Sequence, residues 1–431
     1  MKSQNEILNK LGIESLNTMQ EDAALAIENS EEIILLSPTG TGKTLAFLLP
    51  LLKLLDLNSK EVQALILVPS RELALQIEQV FRDMGSGFKA NAVYGGRPIA
   101  KDKEELKHAP ALLIGTPGRV MDHLQRGTVS SKKIKYLILD EFDKSLEVGF
   151  EEQMKEIVAM LPRPEKIILT SATESAHIPD FIGVQKPLII DYLQEGVKKL
   201  NLSLVESPQK DKLETLLFTL NHLGNQPGII FCNFKESIER VSDFLQSKNI
   251  DHGCFHGGME QKDRERVLIR FRNGTIRLII ATDLAARGLD IPEIKFIIHY
   301  HLPIKAEEFT HRNGRTARMH KEGSAYVIHF VGEPLPDFIK AATVKFEKED
   351  LPGQPEWTTV FVSGGRKDKI SKGDIAGLFC KQGKLGNNDI GVIELKQDCS
   401  FVSVKKSKLT QLIGFVDNVK LKEKKVRVYE I

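Results

Sequence analysis

The chain has 431 residues, of which 41% are hydrophobic and 27% charged; this excludes a disordered polymer and exceeds one ordinary core, so about three domains are expected. Lys and Arg total 60 against 58 Asp and Glu, so net charge names no partner, but its distribution does. From Phe361 to Ile431 there are 15 Lys and Arg against 8 Asp and Glu, and a basic module behind a mildly acidic body fits a polyanion-binding appendage.

The N-terminal MKSQNEILNK has no apolar stretch of signal-peptide length. The most apolar segment, LAFLLPLLKLLDL (45–57), contains Pro50, Lys53 and Asp56 and is too short to span a bilayer. A soluble, cytoplasmic protein without membrane contact is expected. EEIILLS, VQALILVP, ALLIGTP, KYLILDE and KIILTS predict buried strands, each leading into a loop and a helical segment, the pattern of a parallel sheet covered on both faces. The pattern restarts with PGIIFCN, RLIIATD, KFIIHYHLP and GSAYVIHFV, and the polar, strand-poor stretch at 192–212 is the expected joint. KFEKEDLPGQPEW (345–357) reads as a linker. TTVFVSGG, IGVIELK, SFVSVKK and KVRVYEI then predict strands of a small mixed domain. The expected fold class is α/β, with parallel-sheet domains over 1–195 and 196–344, a linker at 345–356 and an α+β domain over 357–431. The four cysteines, Cys232, Cys254, Cys380 and Cys399, form no close-spaced pair, which reads as free thiols in a reducing compartment rather than a zinc or redox site.

SPTGTGKT (37–44) follows the first strand and opens a helix. In that context Gly40 and Gly42 let backbone N–H groups of Ser37, Thr39, Thr41 and their neighbours curl around a phosphate at the helix N-terminus. Lys43 would reach the β- and γ-phosphates, and Thr44 would ligate magnesium. The strict phosphate-loop pattern begins with glycine where this chain has Ser37. A second carboxylate centre is expected at a later strand end, and KYLILDEFD supplies Asp140, Glu141 and Asp143. Asp140 is placed to hold magnesium and Glu141 to orient the attacking water.

With these, PSRELA (69–74), TPGR (116–119), SAT (171–173), FHGGMEQKDR (255–264), ATDLAARGLD (281–290) and HRNGRTAR (311–318) stand in the order of the DEAD-box RNA helicases, which the chain resembles over residues 10–340. The resemblance implies two RecA-like domains that close on ATP, with Mg2+, and on one strand of RNA. It implies that Arg315 and Arg318 are arginine fingers, that Asp290 contacts the ribose, and that Asp143, Ser171, Thr173 and His311 couple the domains. It also implies that Arg71, Gly96, Thr116, Arg119 and Thr282 hold the RNA backbone, so that binding ignores base sequence.

The chain departs from the family pattern at four places. Phe142 stands where alanine is usual and is expected to fill core space. GIESLNTMQ (12–20) resembles the adenine-reading motif through Gln20, but Leu16 replaces its proline and Ser3 its upstream aromatic residue. Ala317 replaces a glycine. Residues 360–404 are similar to the RRM-like C-terminal RNA-binding domain of DbpA-type helicases, which implies large-subunit ribosomal RNA as a partner. Arg366, Lys367 and Lys369 cluster on a loop before a helix. CSFVSV supplies a single aromatic, Phe401, so recognition through basic loops rather than base stacking is expected. The leading expectation is a monomeric ATP-dependent RNA helicase that opens short duplexes during large-subunit assembly. The competing readings are an ATP-dependent RNA clamp with little turnover and a DNA translocase.

Overall fold

A computed structural model describes residues 3–147, 149–173, 178–194, 200–283, 294–316, 323–346 and 353–431. Among these residues the chain forms two compact units, one ending before Leu200 and one running from Leu200 onward.

The first unit is built on a seven-stranded sheet: β1 (Glu32–Leu36), β2 (Ala64–Leu67), β3 (Ala90–Val93), β4 (Leu112–Gly115), β5 (Tyr136–Leu139), β6 (Lys166–Ser171) and β7 (Leu188–Asp191). Its order is β3-β4-β2-β5-β6-β1-β7, and every pairing is parallel. Parallel strands buried on both faces read as continuous apolar runs, and alternate residues feed opposite layers. Ile33, Leu35, Ile66 and Ile138 enter one core, packed on the helices Thr18–Asn29, Lys43–Leu54 and Arg71–Met84. Ile34, Leu36, Leu65, Leu67, Leu137 and Leu139 enter the other, together with Phe142. Phe142 opens the helix Phe142–Glu147 and is 2% exposed. The core-filling role expected of it is what the structure gives it. Strands β3 and β7 escape the apolar-run reading because ANAV is short and mixed, and because β7 is an edge strand with Leu188 and Ile189 exposed.

The second unit repeats the architecture with β8 (Leu200–Ser207), β9 (Gly228–Phe231), β10 (His252–Phe255), β11 (Leu278–Ala281), β12 (Phe296–His299), β13 (Gly323–Phe330) and β14 (Ala342–Val344). The order is β10-β11-β9-β12-β13-β8-β14. Here the expectation of a strand-poor joint at 192–212 is corrected: β8 runs through it and pairs with β13 along its whole length. LNLSLVES alternates apolar and polar residues, so it lacks the continuous run by which its neighbours are recognised. The segment read as a linker is anchored where it is described. Phe346 stacks on His222 at 4.2 Å and meets the Tyr326 ring edge-on, and Gln354 Nε2 donates to Asn249 O at 2.8 Å.

The last module carries β15 (Trp357–Val362), β16 (Ile390–Leu395), β17 (Ser400–Lys405), β18 (Val419–Leu421), β19 (Lys424–Val426) and β20 (Val428–Glu430). The antiparallel sheet runs β16-β17-β15-β20, and KVRVYEI is divided between a β18–β19 hairpin and β20. The helices Lys372–Lys381 and Leu409–Val416 cover one face through Ile375, Phe379 and Leu412 on Val360 and Val402. Part of the opposite face is docked on the end of the helix Gln261–Arg272. Arg272 forks onto Glu394 at 2.7 and 3.1 Å, Asn273 Nδ2 donates to Thr359 Oγ1, and Ser403 Oγ donates to Asn273 O. No helix among the described residues is long and apolar enough to cross a membrane.

Phe142→Ala would leave a cavity that the rigid strands β5 and β6 cannot close. The substitution is expected to destabilise the first unit by roughly 3–5 kcal/mol, read as a lowered denaturant midpoint, with little change in nucleotide affinity of the folded protein.

Candidate nucleotide and RNA site

The strand order decides which loops meet. β6 lies between β1 and β5, with Leu36 paired to Ser171 and Leu139 to Leu169. The loop after β1 and the acidic residues after β5 therefore flank one strand end, at the carboxyl edge where ligands of open α/β sheets bind.

Gly42 caps the helix Lys43–Leu54 at φ 91°, a left-handed conformation that favours glycine. A Cβ there would fall 2.4 Å from Gln20 Nε2. Gln20 braces this loop: its Nε2 donates to Gly42 O at 3.2 Å, and its Oε1 accepts from Asn17 N at 3.1 Å. Asn17 completes the brace by donating from Nδ2 to Thr41 O at 3.1 Å. Ser37 Oγ lies 2.7 Å from Thr41 Oγ1, so the serine at the first position ties the loop to itself. Lys43 is buried, and its Nζ donates to the carbonyls of Ser37 and Pro38. Thr39 and Thr44 are half-buried beside it, and Gly40 is exposed. Ser3, where the resemblance wants an aromatic, caps the first helix in a reciprocal box with Glu6. Leu16 packs at the edge of the core.

Asp140 is 3% exposed and accepts a hydrogen bond from Thr170 Oγ1. Burial above all, then the neighbouring Glu141 charge, pushes its carboxyl up to about 6, against the Thr170 hydrogen bond and Lys43. Glu141 sits at φ 49°, uncommon for a residue with a side chain, and its N–H donates to Thr170 Oγ1 at 3.3 Å. Its Oε2 is buried without a hydrogen bond. A buried carboxylate oxygen short of a donor and a buried acid whose charge is disfavoured both fit a site completed by water and a cation. No cluster of three His, Cys, Asp or Glu that could hold a metal occurs among the described residues. Mg2+ here would rely on Thr44, Asp140 and ligand phosphates. Asp143 accepts from Thr173 Oγ1 at 3.1 Å, and Thr173 N donates to Ser171 Oγ at 3.0 Å, so these three members of the coupling set are joined.

The RNA set gathers on the neighbouring strands. Arg71 opens the helix after β2, Gly96 follows β3, and Thr116 caps the helix Pro117–Gln125 after β4. A Cβ on Gly96 would lie 2.6 Å from Arg71 Nη1, so any other residue there would displace the end of that arginine side chain. Arg119 is not an extended surface cation. Its side chain is 9% exposed, its Nε donates to Tyr94 O at 3.0 Å, and its Nη2 donates to Arg97 O.

In the second unit Thr282 follows β11 and donates from N to Phe255 O, while His311 and Arg315 are buried at and beyond the helix Ala306–Asn313. Asp290, Arg318 and Ala317 lie outside the described residues. A residue passed over in the sequence, Arg312, is 1% exposed and donates to Asp283, to His301 O and to Asn233 Oδ1. It knots the ends of β9, β11 and β12. The signal was available: a fully buried arginine requires a carboxylate, and HRNGRTAR and ATDLAARGLD pair one with the other. In the last module Arg366, Lys367 and Lys369 are exposed on one short turn. The single aromatic of CSFVSV has neighbours on the sheet. Phe401 meets Phe361 at 5.6 Å, and Phe361 meets Tyr429 at 4.8 Å, so three adjacent strands present aromatic rings on one face.

A parallel-sheet domain with this loop and acidic pair, a second such domain and a basic appendage define an ATP-driven enzyme acting on nucleic acid. Three family models match in the same order: DEAD/DEAH box helicase over 17–181, helicase conserved C-terminal domain over 209–320, and DbpA RNA binding domain over 359–430. The chain belongs to the DEAD-box family of ATP-dependent RNA helicases, with a DbpA-type RNA-binding domain. It is 31% identical to ATP-dependent RNA helicase DbpA of Bacillus subtilis (strain 168), over 98% of this chain and 96% of that protein. It is also 31% identical to DbpA of Escherichia coli (strain K12), over 98% and 95%. The structure of S. cerevisiae Dbp5 bound to RNA and ADP BeF3 is similar with a TM-score of 0.68 at 25% identity, covering 79% of this chain and 93% of that one.

The raised pKa of Asp140 has a definite sign. The stability it lends the nucleotide-free fold is complete below the ordinary value of 3.8 and is lost as pH rises through about 6. Without nucleotide, Asp140→Asn is expected to be the more stable protein above pH 6, by up to about 3 kcal/mol, and to lose that advantage by pH 4. Chemical denaturation across this range checks it.

Proposed function

We propose that the chain hydrolyses ATP when RNA draws its two RecA-like units together, and that this closure locally opens short RNA duplexes. The observation that supports the reading is the arrangement of one sheet edge. The phosphate loop and acidic pair occupy β1, β6 and β5, and the backbone-gripping set occupies the neighbouring β2, β4 and β3. Nucleotide and RNA then share a rigid scaffold, so each can bias the same closed state.

In this reading the loop N–H groups and Lys43 exchange the carbonyls of Ser37 and Pro38 for phosphate oxygens. Thr44 and Asp140 would hold Mg2+, which neutralises charge on the phosphates when bound. Glu141, whose buried Oε2 lacks a donor, orients the attacking water. Arg315 and Arg318 supply positive charge to the γ-phosphate from the second unit, Asp290 contacts the ribose, and His311 takes up the link made by Asp143, Ser171 and Thr173. Phosphate contacts through Arg71, Gly96, Thr116 and Thr282 make the motor indifferent to sequence. Selectivity then resides in the last module, whose exposed Arg366, Lys367 and Lys369 meet structured RNA of the large ribosomal subunit. The protein works in the cytoplasm as a monomer.

Replacing Glu141 with Gln is expected to leave ATP affinity near wild type and to lower RNA-stimulated turnover about 10²–10⁴-fold, measured by steady-state phosphate release. Undiminished hydrolysis in that variant would reject the assigned chemistry.

Neutralising Arg366, Lys367 and Lys369 together is expected to abolish preference for a large-subunit ribosomal RNA fragment over unrelated RNA of equal length. The dependence of log affinity on log salt should become shallower by about 2. A variant that keeps both its preference and its salt slope would place recognition elsewhere.

A further inference from the structure

On the RNA side of the first sheet lies a cluster of buried charge to which no role has been given. Asp102, in the helix Ile99–Glu105, is 1% exposed. Its carboxylate faces Arg97 Nε at 3.3 Å, Arg119 Nε at 3.2 Å and His123 Nε2 at 3.1 Å. The partners come from two segments: Arg97 from the loop after β3, and Arg119 and His123 from the first and second turns of the helix Pro117–Gln125. The His123 side chain is fully buried and its Nδ1 makes no hydrogen bond, so Asp102 Oδ2 is its hydrogen-bond partner. The further charges at the rim are Asp122, 3.8 Å from Arg119 Nη1, and Glu105, which pairs with Arg97 Nη2.

The contacts continue in one direction. Arg119, held by Asp102, donates to the carbonyls of Tyr94 and Arg97 and so clasps both ends of the tetrapeptide YGGR. Inside that clasp Gly96 stands at φ 83°, with its α-carbon against the Arg71 guanidinium. A single carboxylate thus connects the helix that begins at Thr116, the Gly95–Gly96 loop and Arg71. Two guanidiniums brought into one buried spot would repel each other, and only an anion between them makes the arrangement stable.

We propose that Asp102 is a positioning residue for RNA. Its buried charge locks Arg97, Arg119 and His123 and thereby presents the Tyr94–Arg97 loop and the Thr116 helix start as one preformed surface for the RNA backbone. This rests on the reading of Gly96, Thr116 and Arg71 as RNA contacts. It assigns Arg119 to the support of that surface, since its Nε and Nη2 donate to protein carbonyls and Nε also faces Asp102. None of these contacts reaches the loop after β1 or the acidic pair after β5. Loosening the clasp should therefore weaken RNA binding and spare nucleotide binding, as expected when the supporting shell of a site is disturbed rather than the site itself.

The test is the isosteric Asp102→Asn, which keeps the volume and removes the charge, in the full-length protein with an unstructured oligouridylate as the RNA. After circular dichroism has established folding, the apparent KM for RNA in the ATPase assay is expected to rise at least tenfold. At saturating RNA, kcat should stay within twofold, and the affinity for ATP should be unchanged. Arg119→Lys keeps a cation but loses the fork, and should give the same RNA-specific defect. The double variant should be little worse than either single one, because both break one clasp. Additive defects would overturn the shared clasp, and an unchanged KM for RNA in folded Asp102→Asn would overturn the proposal. If Asp102→Asn does not fold, a normal KM in Arg119→Lys would overturn it instead. Arg71→Ala separates the underlying reading. If it raises the KM for RNA while Asp102→Asn does not, the surface is correct and the positioning role is wrong. If neither variant moves it, both fall.

Discussion

The site depends on one pairing: β6 hydrogen-bonds to β1 on one side and to β5 on the other. Because both pairings are parallel and in register, the ends of three strands that are distant in sequence arrive at one level, and Ser37 N donates to Ser171 O at 3.0 Å just where the phosphate loop departs. Thr170 on the middle strand then reaches Asp140 and Glu141, while the same strand end leads through Ser171 and Thr173 to Asp143. A slip of one residue would turn every side chain of β6 to the opposite layer and separate these groups. The apolar layers that forbid such a slip are therefore part of the chemistry.

The same sheet edge concentrates buried charge, which is costly unless it is answered. Each case is answered differently. Lys43 is held on carbonyls of its own loop, Asp140 takes a hydrogen bond from Thr170, and Asp102 is surrounded by cations. Arg312 in the second unit carries the principle furthest, since carboxylate, carbonyl and amide oxygens of three strand ends take up its donors. These knots sit where loops leave the strands, the places that must be rigid if a ligand is to be met by preformed geometry.

In the last module the sheet has two uses. Thr359, Ser403 and Glu394 dock on residues 272–275, while Phe361, Phe401 and Tyr429 lie further along the same face. The bidentate Arg272–Glu394 pair gives this docking a direction as well as an attraction, because a planar fork fits a carboxylate in few orientations.

The sequence by itself determined the class of fold and the outline of the site. Continuous apolar runs announce central strands of parallel sheets, and a glycine loop ending in Lys43 or an acidic pair at the end of β5 is local in the chain. It left β8 unseen because alternating residues give a weaker signal, and it left β7 unseen because an edge strand need not be apolar throughout. It read one aromatic in CSFVSV, because Phe361 and Tyr429 join Phe401 only by pairing across strands. It named Arg119 from a motif but could not show that its guanidinium meets the carbonyls of Tyr94 and Arg97 and the carboxylate of Asp102. Tertiary structure alone decided such matters. Burial and hydrogen-bond partners are properties of what surrounds a side chain, and those surroundings come from segments that the sequence keeps far apart.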